Sequence, residues 1–239
     1  MKSLCLQGVR GGVGNSALLA AIGHALHCLG QRVLLVDMCP ENLLGMHFNL
    51  PVAERGGWAR AMLDGQGWHS QAWGLLPGLC VLPYGRLQRP EQEQIEQRLC
   101  NEPQLWARRE RSLAEHFDWV LFDLPQRLPG HAGIGVEALQ IQVLEADAAC
   151  HALLQQQDVK RYLLVNRFDP ASQLQNDLLL VWRNRYGARL LPVTVHDDEA
   201  MREALACKAP VGRYAESSLV AQDVMSLATW CLAHSRGEL

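Results

Sequence analysis

Nine consecutive residues, Gly8-Val9-Arg10-Gly11-Gly12-Val13-Gly14-Asn15-Ser16, have the types and spacing to hold a phosphate. The glycines let backbone N–H groups approach oxygen atoms closely, and a helix starting directly behind them adds a favourable dipole. The spacing is that of the Walker A pattern, G-x-x-x-x-G-K-[ST], with Asn15 where the lysine belongs. Ser16 stands where a Mg²⁺-binding hydroxyl is expected. Two acids extend the set. Asp37 ends the apolar run Arg32–Asp37, and Asp123 ends the run Asp118–Asp123, in the manner of a Walker B carboxylate. In open α/β sheets ligands gather at the carboxyl ends of the strands. The loop and both acids therefore predict a nucleotide site along one sheet edge. Asp37 and Asp123 are the catalytic candidates, and Ser16 and Asp123 are the metal-holding ones.

The same stretch carries a competing pattern. Gly12-Val13-Gly14-Asn15-Ser16-Ala17 satisfies the G-x-G-x-x-A dinucleotide fingerprint, with Asp37 roughly 20 residues on, where the ribose-binding acid belongs. A nicotinamide-dependent oxidoreductase thus stays open. Against it stand the longer, cationic start Arg10-Gly11-Gly12, the hydroxyl at Ser16 and the acid at Asp123.

The elements that must position these residues follow from periodicity. Leu4–Gln7 reads as the first strand, and the Ala- and Leu-rich stretch 17–29 as a buried helix ended by Gly30. Stretches 32–37 and 118–123 are continuous apolar runs of the kind buried on both faces of a parallel sheet. Leu79–Pro83, Ile141–Glu145, Tyr162–Asn166 and Leu190–Val195 read as further strands. Residues 57–64, 91–100, 104–116, 169–186, 199–206 and 217–234 read as helical. The β-α alternation predicts an α/β fold, doubly wound, with a mostly parallel sheet and helices on both faces. No repeat or composition break interrupts residues 1–239, which are expected to form one nucleotide-binding domain.

Bulk properties narrow the classes. The chain has 239 residues, 49% of them hydrophobic, and a net charge of −3. That length supports a substantial core, and that charge offers no general field for nucleic acid, so no nucleic-acid partner is expected. Arg108, Arg109 and Arg111 read as a solvated helix face. No apolar run approaches the ~20 residues of a membrane span, and no leader is read in front of the first strand, so a cytosolic location is expected. The terminal helix 219–233 has an apolar face without lysines, so no direct membrane insertion is expected. The eight cysteines include no C-x-x-C pair and read as reduced, mostly structural thiols, Cys39 apart. His24 and His27 share a helix face with no third ligand nearby.

Arg10-Gly11-Gly12-Val13-Gly14-x-Ser16, with VLLVD at 33–37 and DWVLFDLP at 118–125, resembles the deviant-Walker ATPases of the MinD/ParA group. Longer stretches (LQGVRGGVG, VDMCPENLL, GWARAMLDGQGW, DEAMREALACKAPVG, ATWCL) are similar to the bacterial cellulose biosynthesis family BcsQ. The resemblance implies a P-loop NTPase fold with ATP and Mg²⁺ as cofactors. It also implies a homodimer closed across two nucleotides, with Arg10 reaching the partner's phosphates. Residues 11–17 (Gly11, Gly12, Val13, Gly14, Asn15, Ser16 and Ala17) would cradle the nucleotide. Asn166 and the loop at Pro192 and Thr194 would hold adenine, and 145–151 would line the dimer face. The implied role is regulatory, in cellulose synthesis and secretion. The implied partners are a small accessory protein of the BcsR type, other cytosolic secretion subunits and the membrane synthase complex, which would recruit the chain to the inner membrane.

Two departures carry weight. The group has lysine at the Asn15 position, and a neutral amide bond is worth ~1 kcal/mol against ~1.5–3 for a charged one. The group also has an acid two residues beyond Asp37, thought to position the hydrolytic water. Here that residue is Cys39, whose neutral thiol orients water poorly. Slow or negligible hydrolysis is the expectation. A turning-over ATPase that positions cargo at a pole or membrane is the alternative.

Overall fold

The computed structural model describes residues 1–51, 53–131, 133–135 and 137–234. Among them seven strands form one sheet: β1 (Lys2–Gly8), β2 (Val33–Asp37), β3 (Trp73–Leu76), β4 (Leu79–Leu82), β5 (Trp119–Leu124), β6 (Leu139–Glu145) and β7 (Tyr162–Asn166). Their spatial order is β3-β4-β2-β5-β1-β6-β7. Every neighbouring pair is parallel except β3 with β4. The helices are α1 (Asn15–Cys28), α2 (Trp58–Leu63), α3 (Arg89–Asn101), α4 (Leu105–Leu113), α5 (Ala148–Gln155), α6 (Gln173–Tyr186), α7 (Glu199–Ala206), α8 (Val211–Tyr214) and α9 (Leu219–His234).

The continuous apolar strands are apolar because both faces are covered. Val33 and Leu35 of β2, and Trp119 and Leu121 of β5, join the core beneath α1 and α9. Leu34, Val36, Val120 and Phe122 alternate to the other face, where α2, α3 and α4 pack. A side-chain period of two sends each strand into both cores at once. Pairing of β2 with β5 sets Asp37 beside Asp123, and pairing of β1 with β5 sets Leu6 beside Asp123. The two acids thus lie side by side at the carboxyl edge, with the phosphate loop leaving β1 next to them.

Three expectations need correction. Leu190–Val195 does not form a strand. It runs beside β7, with Leu191 and Val195 donating to Leu163 and Val165 at 2.9 Å, but only the isolated bridges at Leu190 and His196 result. The donors are four residues apart while their acceptors are two apart, so the segment carries two extra residues against β7 and no regular ladder forms. The β-α alternation also breaks at one edge, where β3 and β4 form a hairpin across Pro77-Gly78. Finally, Arg109 is not on a solvated face. It is 9% exposed, with its guanidinium carbon 4.7, 5.0 and 5.7 Å from the rings of Trp106, Trp68 and Trp58. Trp106, Arg109 and Leu113, at three- and four-residue steps, share the inward stripe of α4. Burial pulls the Arg109 pKa down to about 10, and the three indole faces supply cation–π attraction in place of a carboxylate.

Candidate nucleotide site

The loop from Val9 to Gly14 is tied down from three strands. Val9 N–H donates to Val143 of β6 at 2.8 Å, and Gln126, just past β5, donates its amide to the Val9 carbonyl at 2.8 Å. Asn166 at the end of β7 donates to the Val13 carbonyl at 2.7 Å, and Arg167 to Gly12 at 3.1 Å. Gly14 precedes α1 with φ 88°, a left-handed conformation that favours glycine. A Cβ there would also meet the Asn166 amide nitrogen at 2.6 Å. The glycine is therefore required twice, by backbone conformation and by the packed amide behind it.

Arg10 turns back onto its own chain. Its Nη2 donates to Asp147 Oδ2 at 2.7 Å and pairs with Glu145, and its Nη1 donates to the Gly11 carbonyl at 3.1 Å. Glu145 is shared with Arg167 at 2.6 Å. Asp147 also caps α5, its Oδ1 accepting from Cys150 N–H at 2.7 Å. The stretch expected to line a dimer face thus holds the cationic loop residue in this conformation.

Asn15 points inward. Its amide donates to Asp123 Oδ1 at 2.6 Å and to the Leu6 carbonyl at 3.0 Å. Asp123 is 1% exposed and its Oδ2 has no hydrogen-bond partner. Burial lifts its pKa to about 6, with the Ser16 and Asn15 side chains pulling the other way. Asp37 is fully buried. Its Oδ1 accepts from Cys39 N–H at 2.9 Å and its Oδ2 from Leu44 N–H at 3.0 Å. Its carbonyl accepts from the Trp58 indole at 2.7 Å. Burial, and then the neighbouring Asp123, push the Asp37 pKa well above the usual carboxylate range. Asp37 therefore shapes the 38–44 loop as a backbone clamp. The Cys39 thiol donates to the Asp123 carbonyl at 3.5 Å, and burial pushes its pKa upward.

These groups fit a hydrated Mg²⁺ with phosphates above it. A buried, unpartnered carboxylate oxygen and the Ser16 hydroxyl at the start of α1 are hard oxygen donors of the sort Mg²⁺ prefers. Across the loop a narrow cleft of about 30 Å³ is bounded by Gly14, Ala17, Asn166, Arg167, His196, Asp197 and Met201. Asn166 and Ala17 are in its lining. Pro192 and Thr194 come earlier in the segment whose residues 196–198 form its wall. His196 is oriented by Asp223, which accepts from its Nδ1 at 2.8 Å and its backbone N–H at 2.9 Å. Sequence reasoning missed Gln126 and Asp223. The first lies three residues beyond Asp123, a position where a loop-bracing amide could have been suspected. The second lies on α9 with no local signal.

Comparisons with known proteins give the family and the fold. A family model described as Cellulose biosynthesis protein BcsQ matches residues 1–232. The cellulose biosynthesis protein BcsQ of Escherichia coli (strain K12) is 39% identical over 250 residues, covering 99% of this chain and 96% of that protein. Among solved structures, the septum site-determining protein MinD of Pyrococcus horikoshii, complexed with Mg-ADP, superposes with TM-score 0.73 at 17% identity, covering 100% of this chain and 99% of that one. A ParA family ATPase from Chlorobium tepidum gives 0.75 at 18% identity, covering 95% and 97%. The fold is that of the MinD/ParA P-loop ATPases.

Proposed function

This chain belongs to the cellulose biosynthesis protein BcsQ family, and from that premise we propose that it is an ATP·Mg²⁺-dependent dimeric switch with slow or negligible hydrolysis, supporting bacterial cellulose synthesis and secretion. The observation that carries the reading is the pairing of a glycine loop braced for phosphate with uncharged residues at the lysine and water-positioning sites. Gly14 and its neighbours are braced for phosphate, while Asn15 and Cys39 place an amide and a thiol around Asp123. Mg²⁺, when bound, supplies the charge that screens the phosphates. The chain's own residues do the rest. Loop N–H groups of 11–16 bind the phosphates, Ser16 and Asp123 hold the cation's shell, and Asp37 keeps the 38–44 loop in place. Arg10 leaves Glu145 and Asp147 to reach the phosphates of a second copy.

The expected partners are a second copy of the chain, a small accessory protein of the BcsR type, and other subunits of the secretion apparatus. No helix among the described residues is long and apolar enough to cross a membrane, so recruitment to the membrane synthase complex would run through partners.

The test is light scattering with and without ATP and Mg²⁺, with phosphate release measured in parallel. A stable ATP-dependent dimer that releases little phosphate is expected. A transient dimer with steady release would replace the switch by the turning-over ATPase, and failure to bind ATP would remove both.

A smaller effect tests the loop's bracing. Asn166→Ala removes the donor to Val13 at 2.7 Å, a loss of ~1–2 kcal/mol. A fall of about 10-fold in affinity for a fluorescent ATP analogue is expected. An unchanged affinity would show that the loop holds its shape without β7.

A further inference from the structure

Asp37, Cys39 and Asp123 bring two carboxylate oxygens and one sulfur to within 4.8 Å of one another. Both acids are buried, and strand pairing fixes them side by side. Among the described residues neither is paired with a cation. The polar side chains turned toward Asp123 include the Asn15 amide and the Ser16 hydroxyl, neither of which carries a charge. One oxygen of Asp123, in a side chain only 1% exposed, accepts no hydrogen bond of ordinary geometry. Two carboxylates at this separation in a dry environment form a centre short of positive charge. Asp37 already accepts two backbone N–H bonds, but a carboxylate has about four lone-pair sites, so donor capacity remains.

The third donor decides which cation fits. Mg²⁺ takes oxygen ligands in a near-octahedral shell and has little affinity for sulfur. A thiolate selects softer ions, and three protein ligands with one open position is the pattern of an open Zn²⁺ site. We propose that Asp37, Cys39 and Asp123 form a binding site for a thiophilic divalent cation of the Zn²⁺ class. The site is occupied without nucleotide; it shares Asp123 with the Mg²⁺ shell at Ser16 and differs from it by the donors Asp37 and Cys39. The cation would lie beneath the phosphate loop and provide the charge that Asn15 does not. Cys39 loses its thiol proton to solvent as the metal–sulfur bond forms, so binding releases a proton. The proposal does not depend on ATP binding.

Cobalt(II) titrated into the full chain, reduced and free of nucleotide, tests it directly. The expected result is one equivalent bound, with a thiolate-to-cobalt charge-transfer band in the near ultraviolet, displaced by Zn²⁺ and not by excess Mg²⁺. Cys39→Ser should lose that band and bind cobalt about 10- to 100-fold more weakly. Cys28, Cys100 and Cys207 are exposed, and a band that survives in Cys39→Ser would assign the signal to them and overturn the proposal. So would displacement by Mg²⁺, or no band in the unaltered chain. X-ray absorption at the zinc edge on the unaltered chain gives a reading independent of any variant's folding. One sulfur with oxygen neighbours supports the site, and a shell with no sulfur, or with two or more, refutes it. ATP affinity measured on the metal-free chain separates failure of this proposal from failure of the nucleotide reading.

Discussion

Arg10→Ala is expected to yield a folded monomer that still binds ATP·Mg²⁺ and no longer dimerises on it. In the proposed dimer each Arg10 donates to the phosphates held by the other copy. A charge-assisted bond of this kind contributes ~1.5–3 kcal/mol. Symmetry removes two at once, so the loss is about 3–6 kcal/mol, a weakening of the dimer by roughly 10²- to 10⁴-fold. The monomer loses far less. Without Arg10, Glu145 retains Arg167 at 2.6 Å and Asp147 retains its cap on α5. The two lost ion pairs are partly solvated and worth ~0–1 kcal/mol each. The melting temperature should therefore shift little while the light-scattering mass in ATP falls to that of one chain. Arg10→Lys keeps the charge but not the two-pronged donor and should fall between the two. A dimer of Arg10→Ala within a few-fold of the unaltered chain would mean that the interface is held elsewhere, and the sandwich geometry would be abandoned.

The loop and the acids were legible in the sequence because each is local. Four glycines within seven residues, and apolar runs ending in Asp37 and Asp123, report their own chain neighbourhood, and parallel pairing then brings the acids together. What was not legible depends on pairs distant in sequence. Arg109 reads as solvated beside Arg108 and Arg111, and only the approach of Trp58 and Trp68 from another segment encloses it. Arg10 reads as free to reach outward until Glu145 and Asp147, more than a hundred residues away, are seen to hold it. The misread strand at 190–195 is a different failure. Its alternating apolar pattern is real, but two extra residues between the donors Leu191 and Val195 break its register against β7. The Pro77-Gly78 turn between apolar runs was a usable hairpin signal.

Cys39→Asp tests whether the missing acid is what keeps hydrolysis slow. The thiol lies at the carboxyl edge of β2, donating to the Asp123 carbonyl at 3.5 Å. A carboxylate placed there would accept a proton from, or orient, a water in line with the terminal phosphate, a contribution typically of 10²–10⁴-fold. Asn15 remains uncharged in this variant, so the low end, about 10²-fold faster phosphate release, is expected, with a correspondingly shorter-lived dimer. Cys39→Ser, similar in size and still neutral, should show no increase. The new acid also has a cost. It adds a third carboxylate to a pair already short of positive charge, so the nucleotide-free variant should melt lower than the parent. Because Mg²⁺·ATP binds the folded form, saturating amounts should recover much of that loss. The sign follows from burial: a carboxylate that must ionise beside two others is disfavoured in the folded state, and lowering the pH toward its protonation should restore stability. If phosphate release does not rise while the dimer still forms, the slow step is not water activation. The charge missing at Asn15 would then be the cause to test, by Asn15→Lys in the same background.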